Sequence, residues 1–298
     1  MRVHSGEVEF GLIRSHDCEP TLGDSDVLEF CKQGFLILPG VVPDEINGRT
    51  LDFLESGRPR RAGEPAELLA EDWFVDRVLL APAVAGAVRS LLGRDFGLPV
   101  LVSNHRLQAP APRQYWHRDG ASQVGPALNY LQVFYYPQDV PREMGPTELL
   151  PGSHFLYTLG QLPQNYMGHY GSIRGTHYTS APAGSVILTV YSIWHRRSEA
   201  TGAGRRHNLK YSYFRTVAPQ RDWIRDDGFD FATADYGFGK PLTYRQQHRD
   251  TIDNAEMFCW LCGKGEEFGY LGGQGWPVVN SDGHHIVGPP FGVPPGLE

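Results

Sequence analysis

The chain has 298 residues, 41% of them hydrophobic, with 27 Lys and Arg against 34 Asp and Glu, a formal charge of −7. That is enough apolar material for a sizeable core, and no basic run marks it as a nucleic-acid-binding protein. No stretch reaches the roughly 18 apolar residues of a membrane span, and Met1 to Arg14 lacks the apolar centre of a leader peptide. The four cysteines, Cys18, Cys31, Cys259 and Cys262, are too few for a disulfide framework. A cytoplasmic protein of one domain, 1–298, is expected, acting on a small molecule and not on nucleic acid or membrane, with its oligomeric state left open.

Residues 1–23 read as an irregular arm. Asp24 or Ser25 can cap a short helix that runs to Lys32 and stops at Gly34. Phe35 to Leu38 is a short buried strand closed by Pro39-Gly40. Pro43 opens a second helix to about Ser56, with Ile46, Leu51 and Leu54 at helical spacing. Residues 57–72 form a polar loop, and a third helix covers about Ala81 to Leu92. From there the pattern turns to strands: Pro99 to Ser103, Leu128 to Tyr136, Gly184 to His195, and Leu209 to Val217, separated by Gly/Pro turns. Residues 156–181 are an irregular, lid-like insertion rich in Tyr, Gly and His. A last helix is expected from about Arg245 to Leu261 within a C-terminal extension, 217–298. Helices first and strands afterwards make the fold class α+β, mainly β, with N-terminal helices buttressing an antiparallel sandwich or barrel.

The chemistry centres on Tyr115-Trp116-His117-Arg118-Asp119-Gly120. Residues i and i+2 of a strand share a face, so His117 and Asp119 project together. An imidazole and a carboxylate are two-thirds of the two-histidine, one-carboxylate set that suits iron(II). The apolar run from Gly184 to Trp194 delivers His195 as the third ligand. Beyond it, Gly204-Arg205-Arg206-His207-Asn208 leads into the next strand, and an arginine there could grip a carboxylate with its planar fork. Strand parity groups Arg206 with Asn208, Lys210 and Ser212 on a polar face, and Arg205 with Leu209, Tyr211 and Tyr213. Arg206 is therefore the preferred candidate.

From about Asp26 to Thr216 the chain resembles the phytanoyl-CoA dioxygenase-like family of Fe(II)- and 2-oxoglutarate-dependent oxygenases. The resemblance is carried by Leu28 to Gly40, by His117-x-Asp119, by Gly145-Pro-Thr-Glu-Leu-Leu-Pro-Gly-Ser-His154, and by His195 with Arg206 eleven positions later. It implies a double-stranded β-helix (a jelly-roll, cupin-like barrel), Fe(II) on His117, Asp119 and His195, and 2-oxoglutarate and O2 as cosubstrates. By the same resemblance, Gln114 and Thr147 donate hydrogen bonds to 2-oxoglutarate, Arg206 binds it, and Tyr135 lines its pocket. An aspartate at 119 argues against halogenation, which in related enzymes needs a small residue there. The implied activity is hydroxylation, or another oxidation by C–H abstraction, of a small and largely apolar organic substrate. Tyr115, Trp116, Tyr136, Trp194 and the aromatic insertion at 156–181 are the expected source of a mainly apolar, partly aromatic pocket, and secondary-metabolite tailoring is the expected setting. The alternatives are an acyl-CoA hydroxylase of the same family and a non-catalytic jelly-roll binding module. Cys259-x-x-Cys262 is read as packing rather than a zinc or redox motif, and His154 as a structural hydrogen-bonding residue.

Overall fold

The computed structural model describes residues 14–119, 123–156, 173, 175–231, 233–237 and 244–265, without side chains for 244–250. In chain order the elements are β1 (Ser15–His16), α1 (Asp24–Gln33), β2 (Phe35–Leu38), α2 (Asp44–Glu55), α3 (Asp72–Phe74), α4 (Pro82–Leu92), β3 (Phe96–Gly97), β4 (Ser103–Asn104), β5 (Leu107–Ala111), β6 (Tyr130–Tyr136), β7 (Thr147–Leu149), β8 (His177–Tyr178), β9 (Ser185–Val190), β10 (His195–Arg197), β11 (Ala200–Arg206), β12 (Leu209–Phe214) and α5 (Tyr244–Leu261). None of the described helices is long and apolar enough to cross a membrane.

The strands build a large antiparallel sheet of order β1-β3-β12-β6-β9-β2, with β4 also on β12, and two smaller sheets, β10-β7-β8 and β11-β5. Alternation along the central strands assigns the two faces of the large sheet to different neighbours. Leu131, Val133 and Tyr135 of β6, Val186, Leu188 and Val190 of β9, and Leu209, Tyr211 and Tyr213 of β12 join the core that includes α1, α2, α4 and α5. Phe134, Tyr136 and Ile187 point the other way, into a second cluster with Val140, Leu149 and Ile193. Burying each of these side chains contributes roughly 1.5–3 kcal/mol, so a one-residue slip of register would be prohibitive.

The early helices, Phe35–Leu38 and the last helix lie where the sequence places them. Four expectations are corrected. Gly23, not Asp24 or Ser25, is the N-cap of α1, and the Asp26 carboxylate accepts its N–H. Pro99 to Ser103 is not a strand: pairing is confined to Phe96–Gly97 and Ser103–Asn104, and Val100 and Leu101 are exposed. Pro99 has no N–H to give a ladder. Gly184 to His195 is not one strand either. It leaves the large sheet after Val190, turns with Ile193 N–H bonded to Val190 O, and enters the small sheet at His195. The polar loop 57–72 contains a 3-10 turn at Ala66–Ala70, and a π-helical turn follows α3 at Val75–Leu79.

Of the insertion expected at 156–181, residues 157–172 and 174 lie outside the described residues, and its end forms β8 against β7. In the C-terminal extension, the acidic segment that begins at Asp222 is anchored by its aromatics, with Trp223 and Phe229 packed 5.7 and 5.4 Å from Phe258 of α5.

Candidate metal centre

His117 and His195 sit opposite one another in an antiparallel bridge, with N–H···O bonds of 3.0 and 2.9 Å exchanged between them. His117 is not inside a longer strand as expected, and Asp119 follows it in irregular backbone. The rings converge nevertheless, with centroids 4.5 Å apart. Each Nδ1 donates to the carbonyl two residues earlier, His117 to Tyr115 at 2.9 Å and His195 to Ile193 at 3.0 Å. Anchoring Nδ1–H fixes the tautomer that leaves the Nε2 lone pair free for a metal. Burial, reinforced by His117 and Lys210, pushes the His195 pKa down to about 3, so its ring is neutral at pH 7.

Asp119 completes the group: ligand atoms of His117, Asp119 and His195 all lie within 4.8 Å of one another. Its Oδ1 faces His195 Nε2 at 3.9 Å, while Oδ2 receives the Gln132 amide and the Lys210 ammonium. Burial raises the Asp119 pKa, but His195, Lys210 and Gln132 outweigh it and hold the carboxylate below its usual value. Two neutral imidazoles and one carboxylate, with their outer atoms already anchored, suit iron(II).

A cavity of about 180 Å³ opens beside the triad. His195, Arg196, Arg197 and Thr147 of the small sheet line one side, and Phe134 of β6 with Asn208 and Lys210 of the 207–214 segment line the other. Arg206 closes it, buried at 2% exposure, with its fork on the carbonyls of Gly145 and His105 and its Nε lacking a partner. Burial depresses its pKa. Gln114 also lines the cavity, although its carbonyl accepts the Arg197 N–H at 3.1 Å. The parity grouping of Arg206, Asn208 and Lys210 therefore matches the cavity wall. Arg205, the preceding residue of β11, points to solvent and pairs with Glu55 at 2.5 Å.

Tyr135 is placed elsewhere. It lies on the helix-facing side of β6 and donates to Asn47 Oδ1 of α2 at 2.8 Å. Its neighbour Phe134 is the residue that reaches the cavity. None of the four aromatic residues expected in an apolar pocket lines this cavity: Trp116 and Trp194 pack together, Tyr136 is buried against Thr179, and Tyr115 is at the surface, while most of the insertion expected to join them lies outside the described residues. The lining is instead polar and cationic. His105 joins it, its pKa lowered to about 4 by burial and Lys210, whereas His207 bonds to Glu55 and Asn104 outside it.

Residues 145–154 hold this site together. The Gly145 carbonyl takes Arg206, and the Pro146 carbonyl takes the Ser198 backbone and hydroxyl at 3.0 and 2.7 Å. Glu148 pairs with Arg196 at 2.6 Å, both fully buried. Ser153 Oγ accepts the Trp194 N–H at 2.8 Å, fixing the turn that delivers His195. Gly152 N–H and His154 Nε2–H bond the carbonyls of Gln33 and Cys31, orphaned at the end of α1. His154 is thus structural, as expected. Cys31, Cys259 and Cys262 are buried and in no disulfide, and among the described residues only the triad forms a metal-ligand cluster.

Sequence reasoning missed the role of a repeated tripeptide, Trp116-His117-Arg118 and Trp194-His195-Arg196. On either side of the histidine bridge, Arg196 lies over the Trp116 ring at 4.6 Å and Arg118 over the Trp194 ring at 4.9 Å. The repeat itself was the available signal.

No protein-family profile and no curated protein sequence matches the chain. Solved structures do. EctD from S. alaskensis, in its apoform, superposes with a TM-score of 0.56 at 16% identity, over 72% of this chain and 85% of that one. HygX from Streptomyces hygroscopicus, bound to nickel, 2-oxoglutarate and hygromycin B, gives 0.53 at 17% identity, over 69% and 92% of the two chains. HygX with nickel and 2-oxoglutarate gives 0.52 at 19% identity, over 70% and 91%. The chain shares the fold of HygX and EctD.

Proposed function

We propose that the protein is an Fe(II)- and 2-oxoglutarate-dependent oxygenase, of hydroxylase type, acting on a small organic molecule in natural-product tailoring. The observation that carries this is one cavity with a metal-ligand triad at one side and a buried arginine closing it. His117, Asp119 and His195 would hold the iron, whose chemistry with O2 and 2-oxoglutarate is oxidation of a C–H bond. Arg206 supplies a planar, permanently charged fork for the distal carboxylate of the cosubstrate. Thr147 offers a hydroxyl to the same anion, and Gln114 fixes the neighbouring Arg197 backbone. Burial of Arg206 and His195 excludes water and strengthens every charge interaction in the cavity.

In this reading the large and small sheets are the two halves of a double-stranded β-helix. The binding of hygromycin B by HygX supports a natural-product substrate.

Anaerobic titration of the iron(II)-loaded protein with 2-oxoglutarate, following the visible charge-transfer band of the chelate, tests the proposal. The band is expected in the wild type and absent from His117→Ala. Folded, iron-loaded protein that neither shows the band nor binds 2-oxoglutarate overturns it, and a binding module or an enzyme independent of 2-oxoglutarate takes its place.

A further inference from the structure

We infer that Lys210 is a charge-compensating positioning residue: it cancels the charge of the ligand carboxylate, trading affinity for the bare metal against affinity for the anion that follows it. The inference deepens the oxygenase reading and rests on it for the identity of that anion.

Lys210 stands on β12 with its side chain only 14% exposed and its Nζ against Asp119 Oδ2. The Gln132 amide binds the same oxygen, so both donors secure the carboxylate from behind and leave Oδ1 towards His195 Nε2. Lys210 also lines the cavity, with Nζ 5.7 Å from the centre of the Phe134 ring. Gln132 alone could orient the carboxylate. The ammonium adds something an amide cannot, a full charge in a site partly shielded from water.

With neutral imidazoles, the three ligands carry one negative charge, and Lys210 brings the local sum to zero. A divalent cation then enters a neutral site and leaves it doubly positive, where without Lys210 it would enter a negative site and leave it singly positive. The bare cation is held less tightly as a result, and a dianion such as 2-oxoglutarate more tightly. The rest of the cavity has the same bias. Arg196 is matched by Glu148, but among the described residues no carboxylate pairs with Arg106, Arg197 or Arg206. The wall is set to receive negative charge.

The test is Lys210→Met, which keeps an apolar stem, and Lys210→Gln, which keeps a hydrogen-bond donor without charge. Anaerobic calorimetry with Fe(II) alone, then with 2-oxoglutarate on iron-loaded protein, reads the two affinities separately. In both variants the metal Kd is expected to fall and the 2-oxoglutarate Kd to rise, each about tenfold, as expected for one unit charge at close range under partial screening. Lys210→Arg restores both. Weakening of both affinities together makes Lys210 only a prop for Asp119 and overturns the inference, as does a Lys210→Gln that behaves like the wild type. If the wild type binds metal but not 2-oxoglutarate, the oxygenase reading fails while the metal arm still decides the charge effect. A wild type that binds no divalent cation overturns both.

Discussion

The Arg196 guanidinium lies over the Trp116 ring, 4.6 Å from its centre, while its Nε donates to Glu148 at 2.6 Å. Arg196 thus ties the segment that carries one candidate metal histidine to the strand that carries the other, with a buried charge pair beside them. Removing one partner of such a pair leaves an uncompensated charge, a loss of about 3–5 kcal/mol. Arg196→Met is expected to destabilise the protein by that order, and Arg196→Met combined with Glu148→Leu to recover most of it. A double-mutant cycle by urea unfolding checks this. Additive losses would mean that the pair is not coupled.

Arg206→Ala should weaken 2-oxoglutarate binding by about 10- to 100-fold, the loss of a hydrogen bond to a charged group. Arg206→Lys should restore little, because the fork that spans the Gly145 and His105 carbonyls has no counterpart on an ammonium. Metal affinity, measured separately, should stay near the wild-type value. Equal losses of metal and 2-oxoglutarate binding would place Arg206 in the scaffold.

Gly34 ends α1 at φ 78°, where a side chain is strained, and an added Cβ would meet His154 Nδ1 at 2.5 Å. The left-handed conformation alone costs an alanine about 1 kcal/mol, and the clash adds to it. Gly34→Ala is expected to lower stability by about 2 kcal/mol or more. It should also reduce metal occupancy, since His154 and Ser153 belong to the turn that holds Trp194. Thermal melts with and without metal read both effects.

His154 gives the fold a defined acid sensitivity. Burial holds its pKa at about 3 against an ordinary 6.5, with the Cys31 carbonyl bond opposing the shift and Arg118 adding to it. The unfolded chain therefore takes up a proton below about pH 6.5 that the native state refuses until about pH 3. This group's contribution is complete above pH 6.5 and declines as pH falls through that window. Between pH 7 and 5 the wild type should lose about 2 kcal/mol relative to His154→Gln, which keeps a donor and does not titrate. Parallel urea midpoints in the two proteins across that range would remove His154 as the cause.

The helices were legible in the sequence because α1, α2 and α4 have apolar spacing and Gly stops, and the candidate ligands were legible because the order of His117, Asp119, His195 and Arg206 resembles that of a known oxygenase family. What was not legible depends on pairing at a distance. Val190 leaves its sheet four residues before Trp194, yet Tyr191, Ile193 and Trp194 continue the run with only Ser192 between them, so the turn leaves little mark in composition. Tyr135 and Phe134 are equally aromatic, and only the register of β6 against β9 decides which one faces α2 and which the cavity. Lys210 was visible as part of a polar face, but its partner, Asp119, lies 91 positions earlier in the chain.

The two faces of β6 set different rules for change along a single strand. Substitutions at 131, 133 and 135 are answered by α2, α4 and the rest of the helical core, and so by stability. Those at 132 and 134 are answered by Asp119 and the cavity, and so by the candidate site. A laboratory library that varied only the odd positions together with the helices they touch would sample new stabilities with the surroundings of that site held constant. One confined to 132 and 134 would vary those surroundings, and at 134 the packing of the second cluster with them.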